Sequence, residues 1–356
     1  MKVAFYAPLK APDHPVPSGD RTMARALIAA LGHGGHEVDI ASGLRIYEGT
    51  GDAARQSVLM AKAEQEIARL RISPDAASWR AWITYHNYYK APDLIGPAVA
   101  DALGIPYIQI ESSRARKRLD GPWAPFAAAA EAASDVAHTI LYVTQHDAQT
   151  LRRDAPQGQR LRHLPPFLAH AELPPASDLT GPMISVGMMR PGDKLASYAL
   201  IAQTLAILPD GLNWHLTIAG DGEARAEVAT LMAPFGDRVQ MAGTLDADAL
   251  GARLRTASLL LWPGVNEAFG LAYLEAQAAG IPVVAQDRTG VREVVTGPLS
   301  DMDAGPAAMA DYIMALLTNQ QMRARAGAAA RAMIQARHLL SSAATTLTAV
   351  LDEVAQ

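Results

Sequence analysis

The chain has 356 residues, half of them hydrophobic and 19% charged, with a formal net charge of −5 at neutral pH and no cysteine. That length supports two α/β domains with separate cores, and the net negative charge argues against nucleic acid as a general partner. Without cysteine there is no disulfide, no thiol nucleophile and no cysteine metal site, which fits a reducing cytoplasm.

Lys2 to Ala7 is expected to form a buried first strand; prolines end the apolar run too early for a signal peptide. No apolar segment reaches the length of a membrane span. After a proline-rich loop from Pro8 to Gly19, a helix is expected from Asp20, taken as its N-cap, to about His33. Met23, Leu27, Ile28 and Leu31 share one face of it. Gly34-Gly35 ends this helix and Glu37 to Ala41 reads as the second strand. The opening is βαβ but lacks G-x-G-x-x-G, which disfavours a nicotinamide dehydrogenase.

Further strands are predicted at Ala81 to His86, Tyr107 to Glu111 and Thr139 to Thr144, separated by helical runs such as Asp93 to Leu103. The stretch TYHNYYKAPD sets aromatic rings at a strand's carboxyl end, either as a stacking surface for an acceptor or as core at a domain edge. Arg114, Arg116, Lys117 and Arg118 form a basic run close to Trp123 and Phe126. It is either a solvated surface or a contact for an anionic acceptor or a membrane surface.

Pro165-Pro166-Phe167 and Leu173-Pro174-Pro175 bracket a linker. Beyond it, strands at Met183 to Gly187, His215 to Ala219, Arg238 to Ala242, Leu259 to Trp262 and Pro282 to Ala285 alternate with helical runs. Such alternation implies a parallel sheet with right-handed crossovers. Final helices are expected at Pro306 to Leu317, Asn319 to Arg337 and Leu340 to Val354. The fold class is therefore α/β, with a domain at 1–170, a second at 171–338 and a C-terminal helix at 339–356.

The second half carries the candidate chemistry. In LLLWPGVNEAFGLAYLEAQAAG, residues 259–280, a strand ends in Pro263-Gly264, a tight loop carries Asn266 and Glu267, and a helix begins near Phe269. Gly280 stops that helix as a left-handed C′ residue. Ligands of open parallel sheets sit beyond the strands' carboxyl ends, where helix N-termini present free N–H groups. Glu275 lies about one and a half turns into the helix, too far for a cap. Its neighbours Leu271, Leu274, Ala276 and Ala278 are apolar, so its carboxylate needs a partner, which a pair of sugar or ribose hydroxyls supplies. VGMMRPGDK places Arg190 and Lys194 in a loop after a strand, a planar multi-donor and a compact cation suited to a diphosphate. Gly220 and Gly222 follow another strand, and Gly243-Thr244-Leu245 a third; the glycines at either place also serve a plain tight turn.

The spacing Glu267-x7-Glu275 within NEAFGLAYLEAQAAGIPVVA resembles the E-x7-E signature of family 4 retaining glycosyltransferases. That resemblance implies the GT-B architecture, two Rossmann-like domains facing each other across a cleft. It implies transfer of a sugar from a nucleotide diphosphate-sugar, UDP- or GDP-linked, to a hydroxyl of a glycan, lipid or small-molecule acceptor. By the same resemblance Glu267 contacts the donor sugar near the reacting carbon, and the N–H groups of Ala268, Phe269, Gly270 and Leu271 support the sugar and distal phosphate. Glu275 holds the ribose hydroxyls, and Arg190 and Lys194 stabilise the leaving diphosphate, with no metal or other cofactor. Gly220 lines the nucleotide pocket, Gly243, Thr244 and Leu245 read the base through the backbone, and Gly19 stands where the family has a glycine-rich loop. The last helix of relatives often crosses back to the first domain.

The chain departs from the pattern at three places. Glu111, Ser112 and Ser113 occupy the place where many relatives carry a histidine, the arginine arrives only three residues after Gly187, and PLSDMDAGPAAMADYI after Gly297 is short. Two rivals follow. One is a nucleotide-sugar 2-epimerase on the same fold, which calls for other catalytic acids and a histidine. The other is a non-catalytic nucleotide-binding scaffold, against which the presence of both acids weighs. The expected location is cytoplasmic, with peripheral contact at the inner face of a membrane left open.

Overall fold

The computed structural model describes residues 1–16 and 18–355; Pro17, inside the proline-rich loop, and Gln356 lie outside the described residues. The chain divides into two compact units, one made of residues 1–165 with 340–356 and the other of residues 166–339.

In unit 1 the strands are β1 (Lys2–Tyr6), β2 (Glu37–Ser42), β3 (Ala81–Tyr85), β4 (Tyr107–Ile110), β5 (Thr139–Tyr142) and β6 (Arg160–His163). They form one parallel sheet in the order β2-β1-β3-β4-β5-β6. The helices are α1 (Gly19–His33), α2 (Ala53–Arg71), α3 (Gly96–Leu103), α4 (Ala124–Asp135) and α5 (Gln145–Asp154). Strands buried on both faces read as continuous apolar runs, and β3, β4 and β5 are buried at every position. Phe5, Tyr6, Trp82 and Phe126 are wholly buried in its core, each worth roughly 1.5–3 kcal/mol of transfer free energy.

Two local expectations change. Ser18, not Asp20, caps α1: its side chain accepts the Arg21 N–H at 3.3 Å, which leaves Asp20 in the first turn. Asp93 does not open α3, which begins at Gly96 with Ile95 as its N-cap. Asp93 precedes the helix, its Oδ1 accepting from the N–H groups of Ile95 (2.9 Å) and Gly96 (2.7 Å), and Pro97 fits the first turn, where its missing N–H is not needed. Two elements have no sequence-based counterpart. Helix α2 buries only Gln56, Ala63 and Leu70, too thin a stripe for an amphipathic signal. Strand β6, RLRH, lies at the sheet edge with Arg160 and Arg162 exposed.

In unit 2, β7 (Met183–Val186), β8 (Leu216–Ala219), β9 (Val239–Gly243), β10 (Leu260–Leu261) and β11 (Val283–Val284) form a parallel sheet in the order β11-β10-β7-β8-β9. Around it lie α6 (Asp193–Ile207), α7 (Arg225–Met232), α8 (Ala247–Leu254), α9 (Leu271–Ala278), α10 (Thr289–Arg292), α11 (Gly305–Thr318) and α12 (Gln320–Arg337). Helix α9 begins two residues later than the periodicity suggests, because Gly270 (φ 74°) is its N-cap. Gly280 is left-handed (φ 71°) just beyond its end.

Each sheet reverses its direction of growth once. In unit 1 the chain goes from β1 outward to β2 and returns to β3 on the other side of β1. In unit 2 it goes from β7 through β8 to β9 and returns to β10 on the other side of β7. The loops leaving β1 and β3, and those leaving β7 and β10, therefore diverge and open a crevice at the strands' carboxyl ends.

The last helix, α13 (Leu340–Val354), belongs to unit 1, where it packs on α1. Thr348 Oγ1 lies 3.1 Å from His36 Nε2, and Glu353 pairs with Arg160 (3.1 Å) and Arg162 (3.0 Å). Among the described residues no helix is long and apolar enough to cross a membrane.

Candidate active site

Strand β10 ends at Leu261, Trp262 follows it, and the chain turns sharply at Gly264, whose φ is 78°. A Cβ there would lie 2.3 Å from Tyr273 Oη and 2.6 Å from Val291 Cγ2. The close approach lets the Tyr273 hydroxyl donate to the Trp262 carbonyl at 2.9 Å, which fixes α9 against the strand end. The loop is also pinned to α6. Val265 N–H donates to Ser197 Oγ (3.1 Å), and Asn266, itself left-handed (φ 51°), donates through Nδ2 to Asp193 Oδ2 (2.8 Å).

This scaffold presents Glu267 at the switch point. Its Oε1 accepts the Trp262 indole N–H at 2.9 Å and forms an ion pair with Lys194 Nζ. The Glu267 side chain is 13% exposed and that of Lys194 30%, so the pair is shielded but reachable. Lys194 Nζ also lies 5.4 Å from the centroid of the Trp262 ring, a cation–π contact that holds it over the loop. Oε2 of Glu267 makes no hydrogen bond among the described residues.

Beside this pair, α9 begins with no side-chain cap. The N–H groups of Ala268, Phe269, Gly270 and Leu271 donate to no acceptor among the described residues, leaving a cluster of donors at the positive end of the helix. Glu275 lies farther along α9, partly buried and without a hydrogen bond or ion pair among the described residues. Burial pushes its carboxyl up to about 7.

Arg190 is exposed in the β7–α6 loop and enters no ion pair among the described residues. Lys194 lies not in that loop, where the sequence places it, but in the first turn of α6, because the helix begins at Asp193 directly after Gly192. Gly220, with Gly187 packed against it, is a requirement of space: a Cβ there would lie 1.9 Å from the Gly187 carbonyl oxygen. Its N–H donates to the Gly243 carbonyl at 2.8 Å, so the ends of β8 and β9 are tied together. Thr244 is exposed and Leu245 partly buried just beyond. Gly19 lies in unit 1, in the first turn of α1, where an added Cβ would meet nothing within 4 Å. Thus Glu267, Lys194 and the α9 N-terminus are brought into one network, Glu275 is on the same helix, and Gly220 and Gly243 are joined at a neighbouring strand end.

Sequence reasoning missed His86. It lies immediately after β3, at the switch point of unit 1, with its backbone left-handed (φ 68°). Its Nδ1 is 3.3 Å from Asp20 Oδ1, and Glu111, also left-handed (φ 56°), follows the adjacent strand β4. Burial alone would push His86 down, but the carboxylates of Asp20 and Glu111 outweigh it and its pKa is raised. Burial raises Glu111. The signal was available in TYHNYY: a histidine directly after a strand that starts the second side of a doubly wound sheet. Among the described residues no group of three or more His, Asp or Glu side chains is placed to hold a metal ion.

Two parallel Rossmann-like units, the second with an ion-paired glutamate and an uncapped helix at its switch point, are the GT-B class of fold. Solved structures share it: a sucrose-phosphate synthase from Thermosynechococcus elongatus is 17% identical with a TM-score of 0.72, over 99% of this chain and 98% of that one. The Anabaena protein HepE in complex with UDP is 14% identical with a TM-score of 0.70, over 99% of this chain and 100% of that one. At such identities the likeness is one of fold.

Within that class, residues 192–333 match the family described as glycosyl transferases group 1, a segment that contains Lys194, Glu267 and Glu275. Curated relatives align over the same fraction of the chain. A GDP-mannose-dependent alpha-mannosyltransferase of Mycolicibacterium smegmatis is 32% identical over 139 residues, 38% of this chain and 35% of that protein. An alpha-D-kanosaminyltransferase of Streptomyces kanamyceticus is 28% identical over 149 residues, 40% and 39% of the two chains. A D-inositol 3-phosphate glycosyltransferase of Xylanimonas cellulosilytica is 36% identical over 143 residues, 37% and 34%. The chain thus spans between 34% and 39% of the length of these three relatives.

Proposed function

We propose that the protein is a retaining glycosyltransferase that moves a sugar from a nucleotide diphosphate-sugar to a hydroxyl acceptor without a metal ion. The observation that carries this reading is the Lys194–Glu267 pair beside the uncapped N-terminus of α9, all within the glycosyl transferases group 1 segment.

The roles follow from what each group lacks. Oε2 of Glu267 is available to accept a sugar hydroxyl, while Trp262 and Lys194 hold Oε1 and fix the carboxylate's orientation. The free N–H groups of residues 268–271 face no internal acceptor and suit an oxyanion of the diphosphate. Lys194, from the first turn of α6, with Arg190 from the loop before it, neutralises the leaving diphosphate. Glu275 pays a desolvation cost that two ribose hydroxyls would relieve by donating to it. As the bond between the anomeric carbon and the diphosphate oxygen breaks, the acceptor oxygen bonds to that carbon on the same face. The departing diphosphate oxygen takes the acceptor's proton. No covalent enzyme intermediate is needed, and Glu275, at the ribose end, is not a second carboxylate flanking the scissile bond. The base is read by the backbone at 243–245, and both UDP and GDP are candidates, because HepE is described with UDP and one relative as GDP-mannose-dependent. A cytoplasmic location belongs to the same proposal, supported by the chain's lack of cysteine.

The test is thermal unfolding with UDP, GDP, ADP and TDP, with and without Mg²⁺, for the wild type, Arg190→Ala and Glu267→Gln. At 100 times its dissociation constant a nucleotide stabilises the native state by about 2.7 kcal/mol. One nucleotide should do so independently of Mg²⁺ and less in Arg190→Ala, while Glu267→Gln should keep nucleotide binding and lose sugar transfer. No shift with any nucleotide at millimolar concentration would sink the donor site. The His86–Asp20–Glu111 cluster keeps the 2-epimerase reading in play, since that reaction calls for extra acids and a histidine. Turnover of a nucleotide-sugar with no acceptor present would favour it.

A further inference from the structure

The basic run after β4 separates into two kinds of side chain. Arg114 is wholly buried and pairs with Glu131 (2.9 Å) and Asp135 (2.6 Å), and Arg116 pairs with Glu131 (3.9 Å) and Asp154 (3.5 Å). Those two are structural. Arg118 and, from the loop after β3, Lys90 enter no ion pair among the described residues. Both instead converge on one pair of rings. Arg118 Cζ lies 5.2 Å from the centroid of Tyr89 and 5.3 Å from that of Trp123. Lys90 Nζ lies 5.8 Å and 5.2 Å from the same two centroids. The rings are 5.7 Å apart and perpendicular.

The rings are themselves held. Trp123 donates its indole N–H to the Glu48 carbonyl at 3.3 Å, and Glu48 N–H donates to the Lys90 carbonyl at 2.9 Å. The Glu48 carboxylate, 1% exposed, is used within its own loop by the Thr50 and Gly51 N–H groups, so it gives no counter-charge to the cations. Each cation gains from the ring quadrupoles, yet two like charges on the same rings repel one another. Moreover, Nε of Arg118 is buried with no hydrogen-bond partner, a cost that persists until an acceptor arrives. An oxyanion with several acceptor oxygens answers all three features at once: it neutralises both cations, satisfies the guanidinium and leaves the rings to cover a carbon skeleton.

We propose that Tyr89, Lys90, Arg118 and Trp123 form a binding site for a phosphate group carried on a sugar or polyol, the acceptor class of the glycosyl transfer proposed above. Only the word acceptor rests on that reading; the anion site stands on the geometry of unit 1 alone. The phosphate has two possible sources with the same chemistry, a soluble polyol phosphate or the headgroup of an anionic lipid.

The experiment follows the ¹H–¹⁵N indole resonance of Trp123 in the full chain, assigned by its loss in Trp123→Phe. The probes are glycerol 3-phosphate and, separately, phosphatidylcholine vesicles with or without phosphatidylglycerol, whose bound protein is pelleted. The Lys90→Gln/Arg118→Gln double variant is compared with Arg153→Gln, which removes an exposed positive charge elsewhere on unit 1. A saturable shift with glycerol 3-phosphate, at least about tenfold weaker in the double variant and unchanged in Arg153→Gln, supports a soluble phosphorylated ligand. Pelleting that needs phosphatidylglycerol and is lost in the double variant supports a lipid source. No shift and no pelleting, or effects equal in both variants, overturns the site. The circular dichroism of each variant is checked against the wild type, and Lys90→Arg/Arg118→Lys, which keeps both charges, should retain binding. Failure of nucleotides to bind unit 2 would remove the glycosyl transfer reading and leave this result untouched.

Discussion

Glu275 shows how much one side chain reports on its surroundings. It is a carboxylate on a helix whose neighbours Tyr273, Leu274, Ala276 and Gln277 are buried, and burial alone lifts it from 4.5 to about 7. Between those values the folded protein holds a proton that the unfolded chain has released, so this group makes stability fall as pH rises from about 4.5 to 7. The loss, on the order of 3 kcal/mol as a ceiling, is complete above pH 7. Glu275→Gln should therefore be more stable than the wild type at pH 8 and equal to it at pH 4, measured by urea unfolding; an unchanged pH dependence would remove the argument. Ribose hydroxyls donating to Glu275 favour its charged form, so nucleotide binding near pH 6 should release a proton, visible as a buffer-dependent calorimetric enthalpy. The apolar neighbours made this acid's need for a partner legible in the sequence. Glu267 and Lys194 were legible as types near strand ends, but their direct pairing was not, because it joins a loop and the first turn of a helix 73 positions apart in the chain. His86 was hidden for a different reason: it follows β3, one strand over from Glu111, and its partner Asp20 lies 66 positions earlier in the chain, in the first turn of α1.

At the scale of elements, the legible parts were those whose burial is two-sided. The apolar runs of β3, β5, β7 and β8 admit little else, and Gly280 and the Gly34-Gly35 pair mark helix ends through backbone geometry. What could not be read was set by contacts made later in the chain. Strand β6 is a polar tetrapeptide that becomes a strand because β5 offers a free edge, and its arginines find Glu353 on α13. Those pairs are about half exposed and contribute little by themselves. The loop from Pro263 to Gly270 is the opposite case, short and fully determined. Gly264→Ala would meet both a left-handed backbone and the Tyr273 hydroxyl, costing about 1–3 kcal/mol. We expect a lower melting temperature together with weakened nucleotide binding, since Glu267 rides on the same loop. An alanine variant with wild-type stability would mean that the turn is less constrained than it looks.

For the whole molecule, unit 2 is a continuous segment set into unit 1, and its two ends meet. Leu168 N–H donates to the His338 carbonyl at 2.8 Å, while the His338 ring bonds to the Pro166 carbonyl. It has its own core, from Met183 and Trp214 to Ile313 and Ile334. Residues 166–339 expressed alone should therefore fold cooperatively and bind the same nucleotide as the full chain, checked by thermal unfolding with and without that nucleotide. A segment that stays unfolded would show that its core depends on the rest of the protein. The two-domain organisation was legible from the alternation of strands and helices; the adjacency of the ends was not, because it rests on a backbone hydrogen bond between residues 170 positions apart and a side-chain one between residues 172 apart.

The packing of α13 on α1 has a consequence for the order in which the protein is made. A ribosome releases residues 1–165 long before Leu340, yet the face of α1 that packs on α13 stays uncovered until α13 emerges. Unit 2, whose residues are all synthesised in one stretch, can complete its fold while unit 1 is still waiting. The nascent chain thus leaves that face of α1 without its partner for the whole time that residues 166–339 are being translated, and α13 ends that exposure.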